Sequence, residues 1–230
     1  MSTRQDYITA VESLVPGELP LEEAEEILAI GMAVKEHSRH KPLEVVEDVD
    51  GDGGFDYAVA DLASWATGFS VIKQVEYPVD DDDQAANILQ DDAWAMYKKP
   101  AGTYLRFLED TPSTDEDIRI TYTAIHTCTD SACTVEVFDE EAAQALAAAY
   151  FCDMLATYFA QNQDATIAAD SVDHTSKSRD YAARAKSYRK IYFDHLGIKE
   201  GQTPAASVTR DQDLKGSWGR DKLTHPGKYR

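Results

Sequence analysis

The run DEEAAQALAAAYFCDMLATYFAQ, residues 139–161, restricts the fold more than any other part of this chain. Asp139 reads as a helix N-cap, with Glu140 and Glu141 in a first turn where the helix dipole favours negative charge. Beyond them, Leu146, Tyr150, Cys152, Leu155, Ala156 and Phe159 lie nearly all round the helix. A helix without a polar face must be buried on several sides, and its many alanines let neighbouring helices come close. Partner helices are therefore required elsewhere in the chain. Its apolar part, ALAAAYFC before Asp153 and MLATYFA after it, is too short and too interrupted by that charge to cross a bilayer.

Those partners are readable. Tyr7, Val11, Leu14 and Val15 recur at helical spacing before Pro16 and Gly17 end the segment. A second helix is predicted from about Leu21 to Ser38, with Glu22, Glu23, Glu25 and Glu26 at its positive end. Ala24, Ile27, Leu28, Gly31 and Val34 form its apolar stripe, and Pro42 closes the region. After the connector DATIAADSVD, a last helix runs from about Ser176 to Leu196, with Gly197 as its C′ residue. Along it Tyr181, Ala185, Tyr188, Tyr192 and His195 step by fours and threes, the spacing of a packing seam.

Between Leu43 and Phe138 the pattern changes. LEVVEDV, FDYAVADL, SVIKQVEYPV, TYLRFLED, IRITYTAIHT and CTVEVF are rich in Val, Ile, Tyr and Thr and are separated by turn residues. They predict one small antiparallel sheet of about five or six strands, interrupted by a short helix near Asn87 to Met96. The expected fold is α+β. Residues 1–42 supply the N-terminal helices of a small bundle, 43–138 an inserted antiparallel β-domain, 139–200 the C-terminal helix pair and 201–230 an extended arm.

Composition narrows function. The apolar fraction is 43% and the formal net charge −20, so a core can form beneath a surface that repels nucleic-acid phosphates and anionic membranes. Such a surface suits a passage through which DNA slides without sticking. From Gln202 onward six Lys or Arg face three Asp, about +3, which leaves about −23 for the rest of the chain. This cationic segment carries Arg210, Lys215, Trp218, Arg220, Leu223 and Tyr229. It reads as a disordered end or as an arm that orders on a partner; the spaced apolar anchors favour the arm. The polar, helical N-terminus has no signal-peptide core, and three cysteines without a framework spacing fit a reducing cytoplasm.

Candidate chemistry is sparse. Asp48, Asp50 and Asp52 before Gly53 match the opening of an EF-hand loop, and Asp56 adds a carboxylate. The twelfth residue from Asp48 is Val59, and the flanks are strand-like, so a hairpin with DGDGG at its tip is the expectation. A calcium-binding protein is the alternative. Asp80 to Asp83 reads as a solvated loop. His126, Cys128 and Cys133 fall short of a zinc set; the two cysteines flank TDSA, a hairpin tip. A disulfide across that turn is conceivable, but a reducing compartment argues against it. No Gly-rich phosphate loop, nucleophile elbow or HExxH pair occurs, so neither an enzyme nor a cofactor is expected. Lys177, Arg179, Arg184, Lys186, Arg189 and Lys190 cluster on the last helix. They fit nucleic-acid binding, a solvated face, or contact with an acidic neighbour such as another copy of the chain.

The segment AAAYFCDMLATYFAQNQDATIAADSVDHTSKSRDYAARAKSYRKIYFDHLG resembles the C-terminal helix pair of head–tail connector (adaptor) proteins of tailed bacteriophages. There an Ala-rich helix and a short Asp-containing connector precede a helix of the form Y-x-x-x-A-x-x-Y, here Tyr181, Ala185 and Tyr188. The stretch GFSVIKQVEYP looks like the β-insertion of larger members. The resemblance implies a non-enzymatic virion protein of the neck, made in the host cytoplasm. It would form a ring of about twelve copies beneath the portal protein, against a tail or neck component, and continue the DNA channel. It also implies that the C-terminal arm docks on the portal; within such a ring the charge pattern assigns the six basic residues of the last helix to the contact between subunits.

Overall fold

A computed structural model describes residues 2–16, 21–79, 86–90, 92–109, 111–114, 116–161 and 174–201, with side chains of the last helix described from residue 177. The proposed arm, with Arg210, Lys215, Trp218, Arg220, Leu223 and Tyr229, lies outside the described residues, as do Asp80 to Asp83.

Among the described residues, four helices form the bundle. Helix α1, Arg4–Leu14, begins with a capping box between Thr3 and Asp6. Helix α2, Glu23–His40, has acidic residues in its first turn and His37, Arg39 and His40 in its last, matching the helix dipole at both ends. Helix α3, Val137–Gln161, is the hub: α1, α2 and α4 all pack on it. Ala143, Ala147, Ala148 and Ala149 are fully buried there, so the neighbouring backbones can approach. Helix α4, His174–Leu196, ends at Gly197 with φ of 66°. There the Ile198 N–H donates to the Phe193 carbonyl at 3.1 Å and the Gly197 N–H to that of Asp194 at 3.2 Å, a Schellman motif.

The α+β expectation holds, but the β region differs from the one sheet anticipated. Strands β1, Leu43–Asp50; β2, Asp56–Ala58; β3, Ile72–Glu76; β4, Trp94–Lys99; β5, Gly102–Phe107; and β6, Asp117–Ala124, form two antiparallel three-stranded sheets, ordered β1-β6-β3 and β2-β5-β4. They share one core of Tyr57, Val75, Leu105, Phe107, Ile118, Ile120 and Tyr122. The DGDGG turn is therefore no hairpin tip; it passes the chain from one sheet to the other. The Gly51 and Gly53 N–H groups donate to the carbonyls of Glu116 and Pro112, each at 2.9 Å. A Cβ on Gly51 would lie 2.0 Å from the Ser113 carbonyl oxygen, so only glycine fits this close approach.

Three local expectations are corrected. Among the described residues of 87–96 no helix forms: Ile88 bridges Glu76, and Trp94 opens β4. CTVEVF is not a strand. Cys128 and Cys133 make an isolated bridge, while Val137 and Phe138 already belong to α3, which starts two residues before Asp139. Asp139 is not an N-cap because its buried carboxylate is engaged by Lys41 and His195. The segment 125–136 also goes with the bundle rather than with the sheets, since Cys133 and Val135 sit in the helical core.

Candidate assembly surfaces

The seam on α4 forms as its spacing implies. Ala185 and Tyr192 are fully buried, and the Tyr181 ring stacks on Phe159 with centroids 5.5 Å apart. The Tyr188 hydroxyl donates to the Leu14 carbonyl at 2.6 Å, and the Ser178 hydroxyl to that of Ala156 at 2.8 Å. His195, at the end of the stripe, is instead a polar contact: its Nε2 lies 2.8 Å from an Asp139 oxygen.

Around this seam the cationic residues do not make one patch. Arg179, Lys186 and Lys190, spaced by seven and four, share one flank of α4; Lys177 and Arg184 share the other with Ile191. Arg189 turns inward, where it pairs with Asp153 and lies over the Tyr150 ring at 5.5 Å. Lys177 and Arg184 lean over Phe159 and Tyr181, at 5.3 and 5.7 Å from the ring centroids. Of the six residues proposed for a subunit contact, five are exposed and Arg189 is committed within the protomer.

Two apolar surfaces accompany these charges. One is a groove of about 440 Å³ lined by Met32, Tyr150, Met154 and Tyr158, with Asp153 and Gln161 on its edge. Leu28, one turn before Met32, is also exposed. The other lies where α3 starts and α4 ends. Phe138 is 78% exposed and packs on the His195 ring at 4.9 Å, with exposed Ile191 one turn earlier. Apolar surface rimmed by charge is chemistry for holding another polypeptide. The first groove was not anticipated, although the recurrence of Tyr150, Met154 and Tyr158 every four residues could have signalled it.

Beneath the second surface is a buried polar cluster, also missed in the sequence. His37 is fully buried; its Nδ1 lies 3.3 Å from the Tyr192 hydroxyl and its Nε2 3.8 Å from Asp139. Burial pushes the imidazole down to about 4, so it stays neutral at pH 7. Burial would raise the Asp139 carboxyl, but the Lys41 ammonium at 2.7 Å and the His195 bond outweigh it and hold the carboxyl below the usual range. The His126 N–H donates to the Ser38 hydroxyl at 2.9 Å and its Nε2 meets the Lys41 carbonyl at 3.0 Å. The cluster ties α2, the 125–136 segment, α3 and α4 together. It needs no ligand to be explained.

The acidic turn does not gather its carboxylates. Asp48 forms a two-pronged pair with Arg119 across β1 and β6, at 2.8 and 2.9 Å, which lowers its pKa. Asp56 is held by Arg106 and Lys99, which bring it down to about 2. Asp50 faces Asp117 across the ladder, and Asp52 accepts the Gly54 N–H at 2.7 Å. Among the described residues no group of three or more His, Cys, Asp or Glu could hold a metal ion, and no helix is long and apolar enough to cross a membrane.

No family model and no curated protein matches this chain. Among solved structures it is similar to a chain in the neck of an empty GTA particle computed with C6 symmetry, at 14% identity and a TM-score of 0.29, over 76% of this chain and 87% of that one.

Proposed function

We propose that this protein is a structural component of a virion neck: a head–tail adaptor that associates with its own copies into a ring, joins the portal protein to a tail component and continues the DNA channel. Its role in this reading is mechanical and not catalytic. The observation that carries it is the helix pair. The Ala-rich α3 packs against α4 through Tyr181, Ala185 and Tyr188, the residues on which the adaptor resemblance rests. The GTA neck chain carries no weight here, since a TM-score of 0.29 is too low to argue from.

Two further features support the assignment. The chain up to Glu200 carries nearly all of the negative charge, which suits a wall that DNA must pass without binding. The bundle exposes two apolar surfaces beside the cationic flanks of α4, the composition of a contact between copies. In this reading Lys177 and Arg184 on one flank of α4, and Arg179, Lys186 and Lys190 on the other, face neighbouring subunits, and residues 202–230, with Trp218, Leu223 and Tyr229, engage the portal. Removal of residues 202–230 tests it directly. The truncated protein should keep its helical circular dichroism and lose co-sedimentation with portal assemblies. Undiminished binding would overturn the assignment of the arm. A full-length chain that stays monomeric on such assemblies would overturn the ring.

A further inference from the structure

We infer that Cys128 and Cys133 form a reversible disulfide site, a dithiol that closes when it meets a small-molecule disulfide. This rests on local geometry and not on the assembly reading. The two residues face each other across an antiparallel bridge. On one side the Thr129 N–H donates to the Ala132 carbonyl, and on the other the Thr134 N–H donates to the Thr127 carbonyl, both at 2.9 Å. Residues 128 and 133 are therefore a non-hydrogen-bonded pair, the kind that brings Cα atoms to about 4.5 Å, within the range a disulfide spans. Both thiols are free, and each perturbs the titration of the other. A turn of this kind limits the movement needed for closure.

The pair separates access from acidity, so a proton must pass between the two sulfurs before attack. Cys128 is half-buried at the surface, and Cys133 is buried behind it against Tyr7. The S–H of Cys128 stabilises a thiolate at Cys133 and lowers that thiol, while the same hydrogen bond raises Cys128. In contrast, burial pushes Cys152 up to about 11, which leaves it inert inside α3. Proton transfer along the S–H···S contact places the thiolate on Cys128 when the oxidant arrives. That thiolate attacks one sulfur of the small disulfide and expels one small thiolate, leaving a mixed disulfide. The expelled thiolate takes the Cys133 proton. The Cys133 thiolate then attacks the Cys128 sulfur and expels the second small thiolate, which picks up the proton lost when the first thiolate formed. Two protein thiols are oxidised, and one small disulfide is reduced to two thiols.

Closure would act on the seat of α1. The Cys133 N–H donates to the Ser2 carbonyl at 2.8 Å, the Arg4 N–H to that of Thr129 at 2.9 Å, and the Arg4 guanidinium pairs with Asp130. Locking the 127–134 hairpin therefore locks the support of the N-terminal helix. An environment more oxidising than a cytoplasm would drive it.

Incubation of the full chain with oxidised glutathione, followed by intact-mass and peptide analysis, tests the site. The expected product has lost two hydrogen atoms, carries no glutathione and links residues 128 and 133. Its melting midpoint rises by about 5 °C and returns on reduction with dithiothreitol. The variant Cys133→Ser should retain glutathione on Cys128 and show no such rise, whereas Cys152→Ser should behave as wild type. A wild-type chain that keeps glutathione on Cys128, or stays reduced while Cys128 still accepts an alkylating reagent, overturns the proposal.

Discussion

The helical bundle and the β module belong to one chain but are built on different terms. The bundle brings together residues 2–16, 21–41, 125–161 and 174–201, distant in sequence, and fills its core with one alanine-lined helix, which carries Phe151, against Tyr7 and Tyr192. The module is self-contained. Its first and last strands are neighbours, and Leu43 lies opposite Ala124, so the chain leaves the module beside the point where it entered. Its outer faces are laced by Asp48–Arg119, Glu44–Lys73 and Asp56–Arg106. The bundle instead buries its polar groups in the His37–Asp139 cluster. An insertion that returns the chain to its origin leaves the bundle's packing undisturbed, which is how one fold accommodates both.

The strongest test of this contrast is excision. Replacing residues 43–124 by a short Gly/Ser linker should leave a cooperatively melting helical bundle, measured by circular dichroism; a chain without helical signal would break the comparison. Within the full chain, Phe151→Ala should cost the bundle about 3–5 kcal/mol in denaturant unfolding, and Leu105→Ala should cost the module about 2–5 kcal/mol.

Acid should separate the two regions. His37 has a folded pKa of about 4 against an ordinary 6.5, so its contribution is fully present above pH 6.5 and is lost as pH falls towards 4. The loss is on the order of 3 kcal/mol. Asp48 and Asp56, held below the ordinary 3.8, lose their contributions only below that pH. The bundle should therefore loosen first on acidification, followed by helical circular dichroism from pH 7 to 3, and His37→Asn should flatten its slope between 6.5 and 4.

The smallest effect expected is that of Asp48→Asn, less than about 1 kcal/mol, because the pair is partly exposed. Salt gives it a distinct signature. Added sodium chloride should weaken the Asp48–Arg119 contribution while stabilising the whole protein by screening its negative self-repulsion. Chemical unfolding of wild type and variant at several salt concentrations reads both.

Much of the bundle was legible because helical periodicity is a local signal. The steps between Tyr181, Ala185, Tyr188 and Tyr192 mark the buried face of α4, and Gly197 marks its end. Strand content was legible too, from Val, Ile, Tyr and Thr. How strands pair was not. β1 looks like half of a hairpin until Gly51 is seen pressed against residues 113–116, which sends β2 to the other sheet. The six basic residues of α4 were found as a list, but the inward turn of Arg189 depends on Asp153 of another helix. His37, Lys41 and Asp139 carried no local sign of their meeting.

By itself the sequence determined where the four helices of the bundle form, that a β-rich insertion divides them, and that negative charge dominates all but the end of the chain. Those properties belong to single segments, and their energies are local. Only the tertiary structure decided that the insertion is two sheets, that the Asp-rich turn spends its carboxylates on arginines and a backbone N–H, and that an imidazole is buried beside Asp139. Each depends on contacts between residues tens of positions apart, and such contacts exist only once the helices and strands have packed.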